Sequence, residues 1–431
     1  MIIPVYRVLS YAATPILRGF LEKRKSKGKE HPNRIMERYG YASEKRPKGN
    51  IVWFHAASVG EAISALSLIK RINKDCPAIS ILITTGTVTS AKIMAERLPD
   101  NIIHQFIPID QPVWIQRFLD YWDPDLILWI ESEFWPNFLT DIKKRNIPLV
   151  LINARISPNS YRNWKFLPKT IAHLLGCFNL CLAQSERDAK KLIRLGAKNV
   201  NVPGNLKFAA DPLPVDDRKL TALWKTISKR PLWIAASTHN GEENAVADAH
   251  CSISSNYPDL LTIIIPRHPI RGKEIATSLS NRGLMISLRS ENHTVQPETE
   301  IYIANTVGEL GLFYRLSPIA FIGGTLIPHG GQNLLEAAKL DCAIIHGPST
   351  DNFTTITREI SNVDGSIVIK NNSELADAVC LLLADEERRR SQILAAANVA
   401  ENKSGILETI MHQLSPFLDS FKESASTRGK S

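Results

Sequence analysis

The sequence predicts an α/β protein of two doubly wound, Rossmann-like domains with an interdomain cleft. Three observations carry that prediction. The chain has 431 residues, far more than the ~100–200 that one domain needs. Short apolar strand patterns alternate with amphipathic helix patterns in two successive series, which implies parallel sheets covered on both faces. A proline-rich polar stretch, Asp211-Pro-Leu-Pro-Val-Asp-Asp217, separates the series and reads as a linker. Composition excludes other classes: 44% hydrophobic and 22% charged residues match a globular chain rather than a disordered or fibrous one. Six scattered cysteines form no disulfide framework. Cys177 and Cys181 lack the second pair that a zinc site needs, and a reducing compartment fits them.

In the first series, Ile51–His55, Ile79–Thr84, Ile102–Ile107, Leu126–Trp129, Leu149–Ile152, Leu180–Ala183 and Val200–Pro203 read as strands. Helical patterns such as Glu61–Ile72, Ala91–Leu98 and Ser185–Leu195 lie between them. The second series runs through Leu232–Ala236, Leu261–Ile265, Glu300–Ile303, Ile319–Ile322, Ala343–His346 and Ser366–Ile369. A long charged helix, about Glu374–Glu401, follows. The expected organisation is 1–48 as an N-terminal helix and basic arm, 49–207 as the first Rossmann-like domain, 208–228 as linker, 229–412 as the second Rossmann-like domain and 413–431 as a partly disordered tail. Two such domains around a cleft are the architecture of the GT-B glycosyltransferases. Ligands in doubly wound sheets bind outside the carboxyl ends of the strands.

Charge is informative by location. The net charge is +9; residues 1–48 hold twelve Lys/Arg against four Glu, or +8, leaving +1 for the rest. This argues against a nucleic-acid groove spread over a domain face and for contact with a local anionic surface. At the N-terminus, Ile2, Val5, Leu9, Ala12, Ile16 and Phe20 recur at helical spacing, with Arg7, Tyr11, Thr14 and Arg18 on the opposite face. Two arginines and two prolines argue against a membrane-spanning helix, and the charge follows the apolar run, unlike a secretory signal. In-plane binding, with Lys23, Arg24, Lys25, Lys27 and Lys29 toward anionic headgroups, is the expectation.

The strand ends carry the chemistry. His55-Ala-Ala-Ser-Val-Gly-Glu61 follows the first strand. It places Glu61 at a helix start, either as a dipole-complementing residue or as a general base. Ile130-Glu131-Ser-Glu133-Phe-Trp-Pro-Asn137 sets two carboxylates directly after a buried strand. Glu131 needs a partner there, and Lys207 in Gly204-Asn-Leu-Lys207 is the candidate; the role of Glu133 stays open. In the second half, Arg267 and His268 close a strand and suit a phosphate. Thr306-Val-Gly308-Glu309-Leu310 opens a helix. Glycine loops lead into Asn333-Leu334-Leu335-Glu336, whose polar ends read either as helix caps or as ligands to a ribose and a phosphate. Asp123-Pro-Asp125 precedes its strand and reads as a turn. No P-loop, Gly-x-Gly-x-x-Gly, His-Glu-x-x-His or Gly-x-Ser-x-Gly occurs.

Taken together, His55–Glu61, Glu131–Asn137, Gly204–Lys207, Pro266–Pro269, Gly308–Leu310 and Asn333–Glu336 resemble the motifs of the bacterial 3-deoxy-D-manno-octulosonic acid (Kdo) transferases. They fall in family order over about residues 1–412. Arg34-Ile-Met-Glu-Arg-Tyr-Gly40 looks like the basic segment that follows the membrane anchor. Val307 and Gln332 are small departures. The resemblance implies transfer of Kdo from CMP-Kdo to the lipid A precursor (lipid IVA) at the cytoplasmic face of the inner membrane. It implies Glu61 as general base and Glu131 and Lys207 as transition-state stabilisers. Arg267, His268, Gly308, Glu309, Leu310, Asn333, Leu334, Leu335 and Glu336 are implied to bind CMP. No cofactor is implied: CMP-Kdo is a co-substrate and no metal is expected. Inversion at the anomeric centre and a lack of nucleic-acid partners complete the expectation. The rivals are another GT-B enzyme using a UDP-sugar, a nucleotide-sugar epimerase, or a membrane- or RNA-binding scaffold.

Overall fold

The computed structural model describes residues 2–131, 133–209, 211–227, 230–291 and 295–428. The chain forms two compact units, Met1–Ala210 with Ser404–Ser431, and Asp211–Lys403.

The first unit holds strands β1 (Ile51–Ala56), β2 (Ser80–Thr85), β3 (Ile103–Phe106), β4 (Leu126–Ile130), β5 (Leu149–Ala154), β6 (Leu180–Ala183) and β7 (Val200–Asn201). They pair in parallel in the order β3-β2-β1-β4-β5-β6-β7. β1, β4, β5 and β6 are buried along their whole length, as strands covered on both faces must be. One face is packed by aromatic rings: Trp53 lies 4.8 Å from Phe118 and 5.8 Å from Trp129, each pair adding about 0.5–1.5 kcal/mol beyond its buried area.

The second unit holds β8 (Leu232–Thr238), β9 (Leu261–Pro266), β10 (Ile286–Leu288), β11 (Ile301–Ile303), β12 (Ile319–Ile322), β13 (Ala343–His346) and β14 (Ser366–Val368). These strands are also parallel, ordered β10-β11-β9-β8-β12-β13-β14. β10 has no counterpart in the sequence expectation: three residues at a sheet edge leave too short a pattern to read. In each sheet the order reverses at the first strand, β1 against β4 and β8 against β12. Those switch points are where such sheets bind ligands.

Three segments depart from expectation. Among the described residues of 208–228, only 211–216 are without regular structure; Asp217–Ile227 is a helix that buries Leu223 and Ile227. Asp216 starts it by accepting from Arg218 N. The long C-terminal helix is interrupted at Asp385, whose carboxylate caps a second helix through Arg388 N at 2.8 Å. That second helix, Glu386–Arg428, runs on through 413–428, within the segment expected to be a partly disordered tail. Ile406, Ile410, Leu414 and Leu418, four apart, are buried, and Gln413 accepts from Asn201 at 2.6 Å. The first unit therefore recovers the chain's end.

The N-terminal segment is two helices, Ile3–Ala12 and Thr14–Ser26, divided before Pro15. Val5, Leu9, Ile16 and Phe20 of the expected apolar face are exposed. Arg7 turns inward instead, its guanidinium on both oxygens of Asp141 at 2.7 and 3.1 Å. The Arg34–Gly40 segment is likewise built into the unit rather than free. Arg38 donates to the carbonyls of Ile107 and Gly86 and to the buried Glu30. Arg34 binds Glu37, whose other oxygen takes Phe106 N–H at 2.6 Å. Among the described residues no helix is long and apolar enough to cross a membrane.

Candidate active site

In the first unit the candidate residues gather at the carboxyl ends of β1 and β4. Ser58 caps the helix Val59–Asp75 by accepting from Glu61 N. Glu61 reaches back, its Oε1 accepting from the Ser58 hydroxyl at 2.8 Å and its Oε2 from Ala57 N at 2.7 Å. This resembles a capping box shifted by one residue, the carboxylate taking Ala57 N–H and the Ser58 hydroxyl, so the dipole-complementing reading of Glu61 is geometrically real. The same geometry fixes the carboxylate in one rotamer. Glu61 is 7% exposed. Burial raises its pKa above 4.5, and the charges of Glu131 and Glu133 push the same way against the hydrogen bonds from Ser58 and Ala57. A carboxylate so placed is more basic than an ordinary one and keeps lone pairs free.

Glu131 leaves β4 in a left-handed turn, φ +59°. That conformation costs a non-glycine residue about 1–3 kcal/mol and is characteristic of functional sites. Its side chain accepts from Lys207 Nζ at 2.7 Å. Lys207 is placed by the short 3₁₀ turn Leu206–Ala209. The buried Asn153 holds that turn from the end of β5, its Oδ1 accepting from Leu206 N at 2.9 Å. Glu133 is committed elsewhere, its carboxylate accepting from Trp135 Nε1 at 2.6 Å and its carbonyl from Trp129 Nε1 at 2.7 Å. His55 packs its ring 4.2 Å from Trp129 and is wholly buried. Burial lowers its pKa to about 3, so it stays neutral. The structure thus joins Glu131 with Lys207, and places Glu61 close enough to feel both β4 carboxylates.

In the second unit Arg267 and His268 leave β9 exposed. The Arg267 backbone N–H donates to Thr238 O, and its guanidinium has no partner among the described residues. Gly308 takes φ +84° and turns the chain into the helix Leu310–Leu316. The Glu309 carboxylate is fully engaged: Arg289 donates at 2.5 and 2.8 Å, Lys219 at 2.9 Å, and the Thr306 hydroxyl also donates. Arg289 first, and the other donors after it, hold its pKa down at about 2. At Gly308 and Glu309 only the backbone is left for a ligand. Asn333 caps the helix Leu334–Ala338, accepting from Leu335 N at 3.2 Å. Leu334 and Leu335 are core side chains, at most 1% exposed. Their part in a nucleotide site is confined to the main chain.

Sequence reasoning missed Glu242. It opens the helix Glu242–Ser254 after β8 and is buried. Its Oε2 accepts from His239 N and Gly324 N, and its Oε1 from Thr325 N and Leu326 N, all within 2.7–3.1 Å. One carboxylate thereby ties the loop after β8 to the glycine loop after β12. His239 lies beside it, its ring 3.8 Å from that of His329 and 6.0 Å from that of His268. Burial, and then the neighbouring histidines and arginines, lower its pKa to about 4. The available signal was a repeat: strand, short loop, Gly-Glu occurs at Gly60-Glu61 and again at Gly241-Glu242.

A family model described as 3-deoxy-D-manno-octulosonic-acid transferase (kdotransferase) matches residues 33–210. The 3-deoxy-D-manno-octulosonic acid transferase of Haemophilus influenzae is 33% identical over 96% of this chain and 98% of its own. The chain belongs to the Kdo transferase family. The enzyme of the same name from Rickettsia bellii is 34% identical over 96% of this chain and 97% of its own. Among solved structures, a glycosyltransferase from Rickettsia africae aligns with TM-score 0.57 at 13% identity, over 86% of this chain and 99% of that one. The UDP-GlcNAc 2-epimerase of Neisseria meningitidis aligns with TM-score 0.56 at 14% identity, over 84% and 100%. At such identities these two show the fold, which is GT-B. As a Kdo transferase family member the chain is a glycosyltransferase. The segment matched by the Kdo transferase model lies within the first unit and contains Glu61, Glu131 and Lys207. Among the described residues, no three His, Cys, Asp or Glu side chains gather as metal ligands.

Proposed function

We propose that the protein transfers Kdo from CMP-Kdo to a hydroxyl of the lipid A precursor, with inversion at the anomeric carbon and release of CMP. The observation that carries this reading is Glu61: a buried carboxylate of raised pKa, held in one rotamer with lone pairs to spare, in a Kdo transferase. Glu61 takes the proton as the acceptor oxygen bonds to the anomeric carbon. The bond from that carbon to the CMP phosphate breaks, and its electron pair leaves with CMP. A base so placed contributes roughly 10²–10⁴-fold. Glu131 and Lys207, paired at 2.7 Å, stabilise the charge that develops at the sugar. The Arg267 guanidinium, with His268, meets the departing phosphate, and the Gly308–Leu310 and Asn333–Glu336 turns offer backbone N–H groups. Cationic side chains and main chain take the place of a metal, so transfer in EDTA is expected to run at the full rate.

The acceptor is a lipid, and the N-terminal helices suit a membrane surface. Val8 and Leu9 are 68% and 62% exposed, and Arg18 and Lys23 on the next helix, with Lys27 and Lys29 just after it, are exposed as well. We read this as in-plane binding to the anionic cytoplasmic face of the inner membrane. Replacing Val8 and Leu9 by aspartate should then abolish sedimentation with phosphatidylglycerol vesicles and spare transfer to a detergent-dispersed acceptor.

The deciding experiment is transfer from CMP-Kdo to tetraacylated lipid A precursor, wild type against Glu61→Gln, with products resolved by mass and anomeric configuration by NMR. A Kdo-bearing product of inverted configuration, lost in the variant, is expected. A wild type inactive with CMP-Kdo and active with a UDP-sugar would overturn the reading.

A further inference from the structure

The first unit carries a second cationic feature, away from the N-terminal helices in sequence. Helices Pro158–Trp164 and Glu186–Arg194 line a groove of about 430 Å³. The first helix and the residue following it supply Arg162 and Lys165, and the second helix supplies Arg187, Lys190, Lys191 and Arg194. Arg187, Lys190 and Arg194 recur at helical spacing and so share one face. Residues 155–194 hold eight Lys/Arg against Glu186 and Asp188, net +6, although residues 49–431 together carry only +1. A near-neutral body therefore conceals a strongly basic patch.

Pairing makes the patch unusual. Lys191 is satisfied, donating to Ile156 O at 2.5 Å and to Asp188 at 3.3 Å. Asp188 is itself held by Ser185 and by Ile156 N. Arg162, Arg187, Lys190 and Arg194 have no hydrogen-bond or ion-pair partner among the described residues. Like charges at three- and four-residue spacing repel, and a multiply charged anion relieves that repulsion. Guanidinium groups, with their forked donors, match phosphate in particular. Apolar side chains next in sequence to lining residues are also open to solvent: Phe166 is 79% and Ile193 55% exposed. A phosphate-bearing amphiphile fits both properties.

Position supplies the last step. The two helices start at the carboxyl ends of β5 and β6, capped by Ser157 and Ser185, and Glu131 leaves the adjacent β4. At ~4.8 Å between neighbouring strands, the strands that lead into the two helices lie about 5 and 10 Å from the strand that carries Glu131. Both distances are within the span of one phosphorylated sugar headgroup. We propose that this groove binds phosphate on the headgroup of the lipid acceptor, an inference that rests on the acceptor assigned above.

The test is equilibrium binding and steady-state transfer with detergent-dispersed lipid A precursor, comparing wild type with the R187Q/R194Q double variant. The phosphatase-treated precursor and phosphatidylglycerol vesicles serve as the other two arms. The variant is expected to bind the phosphorylated acceptor at least tenfold more weakly and to show a matching rise in acceptor KM, with the KM for CMP-Kdo unchanged. Both proteins should bind the dephosphorylated acceptor equally, and both should sediment equally with vesicles. Unchanged affinity for the phosphorylated acceptor would overturn the proposal. So would an equal loss on the dephosphorylated one, or a loss confined to vesicles, which would make the patch a membrane-headgroup surface. Binding is read without donor, so a wild type that binds through these arginines and transfers no Kdo would refute the reaction and keep the site.

Discussion

Each unit opens with the same device, a first strand, a short loop and a Gly-Glu pair at a helix start, and the two glutamates are used differently. Glu242 receives four backbone N–H groups, two on each oxygen. A carboxylate offers about four lone-pair positions, so nothing remains for a substrate. Glu61 receives two donors, one on each oxygen, and half its capacity stays open. Both are buried, and burial raises the pKa of both. Glu61 alone has other carboxylates pushing in that direction. The comparison shows that capping a helix and serving as a base are compatible roles. What separates a structural carboxylate from a reactive one here is the number of unfilled lone pairs, not burial or position in the fold.

The sharpest way to break the comparison is to exchange the predicted consequences of losing each glutamate. Glu61→Gln keeps size and an acceptor oxygen for Ser58 or Ala57, so its fold should change by no more than about 1 kcal/mol. Its transfer rate should fall roughly 10²–10⁴-fold, about 3–5 kcal/mol of barrier at 1.36 kcal/mol per decade, with CMP affinity intact. Single-turnover transfer and thermal unfolding check both halves. Glu242→Ala should invert the pattern. Four buried N–H groups lose their acceptor, and leaving such donors unmet costs about 1–3 kcal/mol each before relaxation. A net loss of about 3 kcal/mol, or roughly 6–12 °C in the melting of a unit this size, is the expectation. CMP binding should weaken because the glycine loop after β12 loses its anchor. A Glu242 variant that melts normally and loses only catalytic rate would make the two glutamates equivalent and sink the lone-pair argument.

A smaller effect is expected at Lys207. It is about one-third exposed, and its partner Glu131 is less so, at 34% and 18% for their side chains. Lys207→Met should slow transfer by about tenfold or somewhat more, in the range of a hydrogen bond to a charged group. The double change Lys207→Met with Glu131→Gln should cost less than the sum of the two singles, because the pair acts as one unit. Strict additivity would mean that the 2.7 Å contact has no part in the reaction.

Both doubly wound sheets were legible because buried parallel strands read as unbroken apolar runs, such as Leu126–Trp129 and Ile319–Ile322. The Glu131–Lys207 pair was legible for a related reason: a glutamate directly after such a run must find a cation. Other features turn on information that periodicity does not carry. An i,i+4 stripe at Ile406, Ile410, Leu414 and Leu418 announces a buried face without saying which sheet covers it. A net charge of +1 over 49–431 averages away the groove at Arg187 and Arg194. Glu309 looks like a ligand in its motif, and only three-dimensional packing reveals Arg289, Thr306 and Lys219 around it.

The finest test acts on Ser58, which touches Glu61 from both directions. Its hydroxyl donates to Oε1 and thereby lowers the carboxylate's pKa, while burial raises it. The acid limb of kcat/KM should therefore lie above the ordinary carboxylate value of 4.5 in the wild type, since only ionised Glu61 accepts the proton. Ser58→Ala removes the lowering influence and one cap. Stability should drop by about 1 kcal/mol, and the acid limb should move further toward neutral pH, with rates on the plateau little altered. For stability the sign reverses. A carboxylate whose folded pKa exceeds its unfolded value supports the fold below the unfolded value and loses that contribution as pH rises through the folded one. The variant's deficit against wild type should accordingly widen from acid toward neutral pH, while its activity deficit narrows over the same interval. Opposite slopes in melting and in kcat/KM, measured on one protein across one pH series, are the signature of a capping carboxylate that also works as the base. Parallel slopes would leave Glu61 a cap and nothing more.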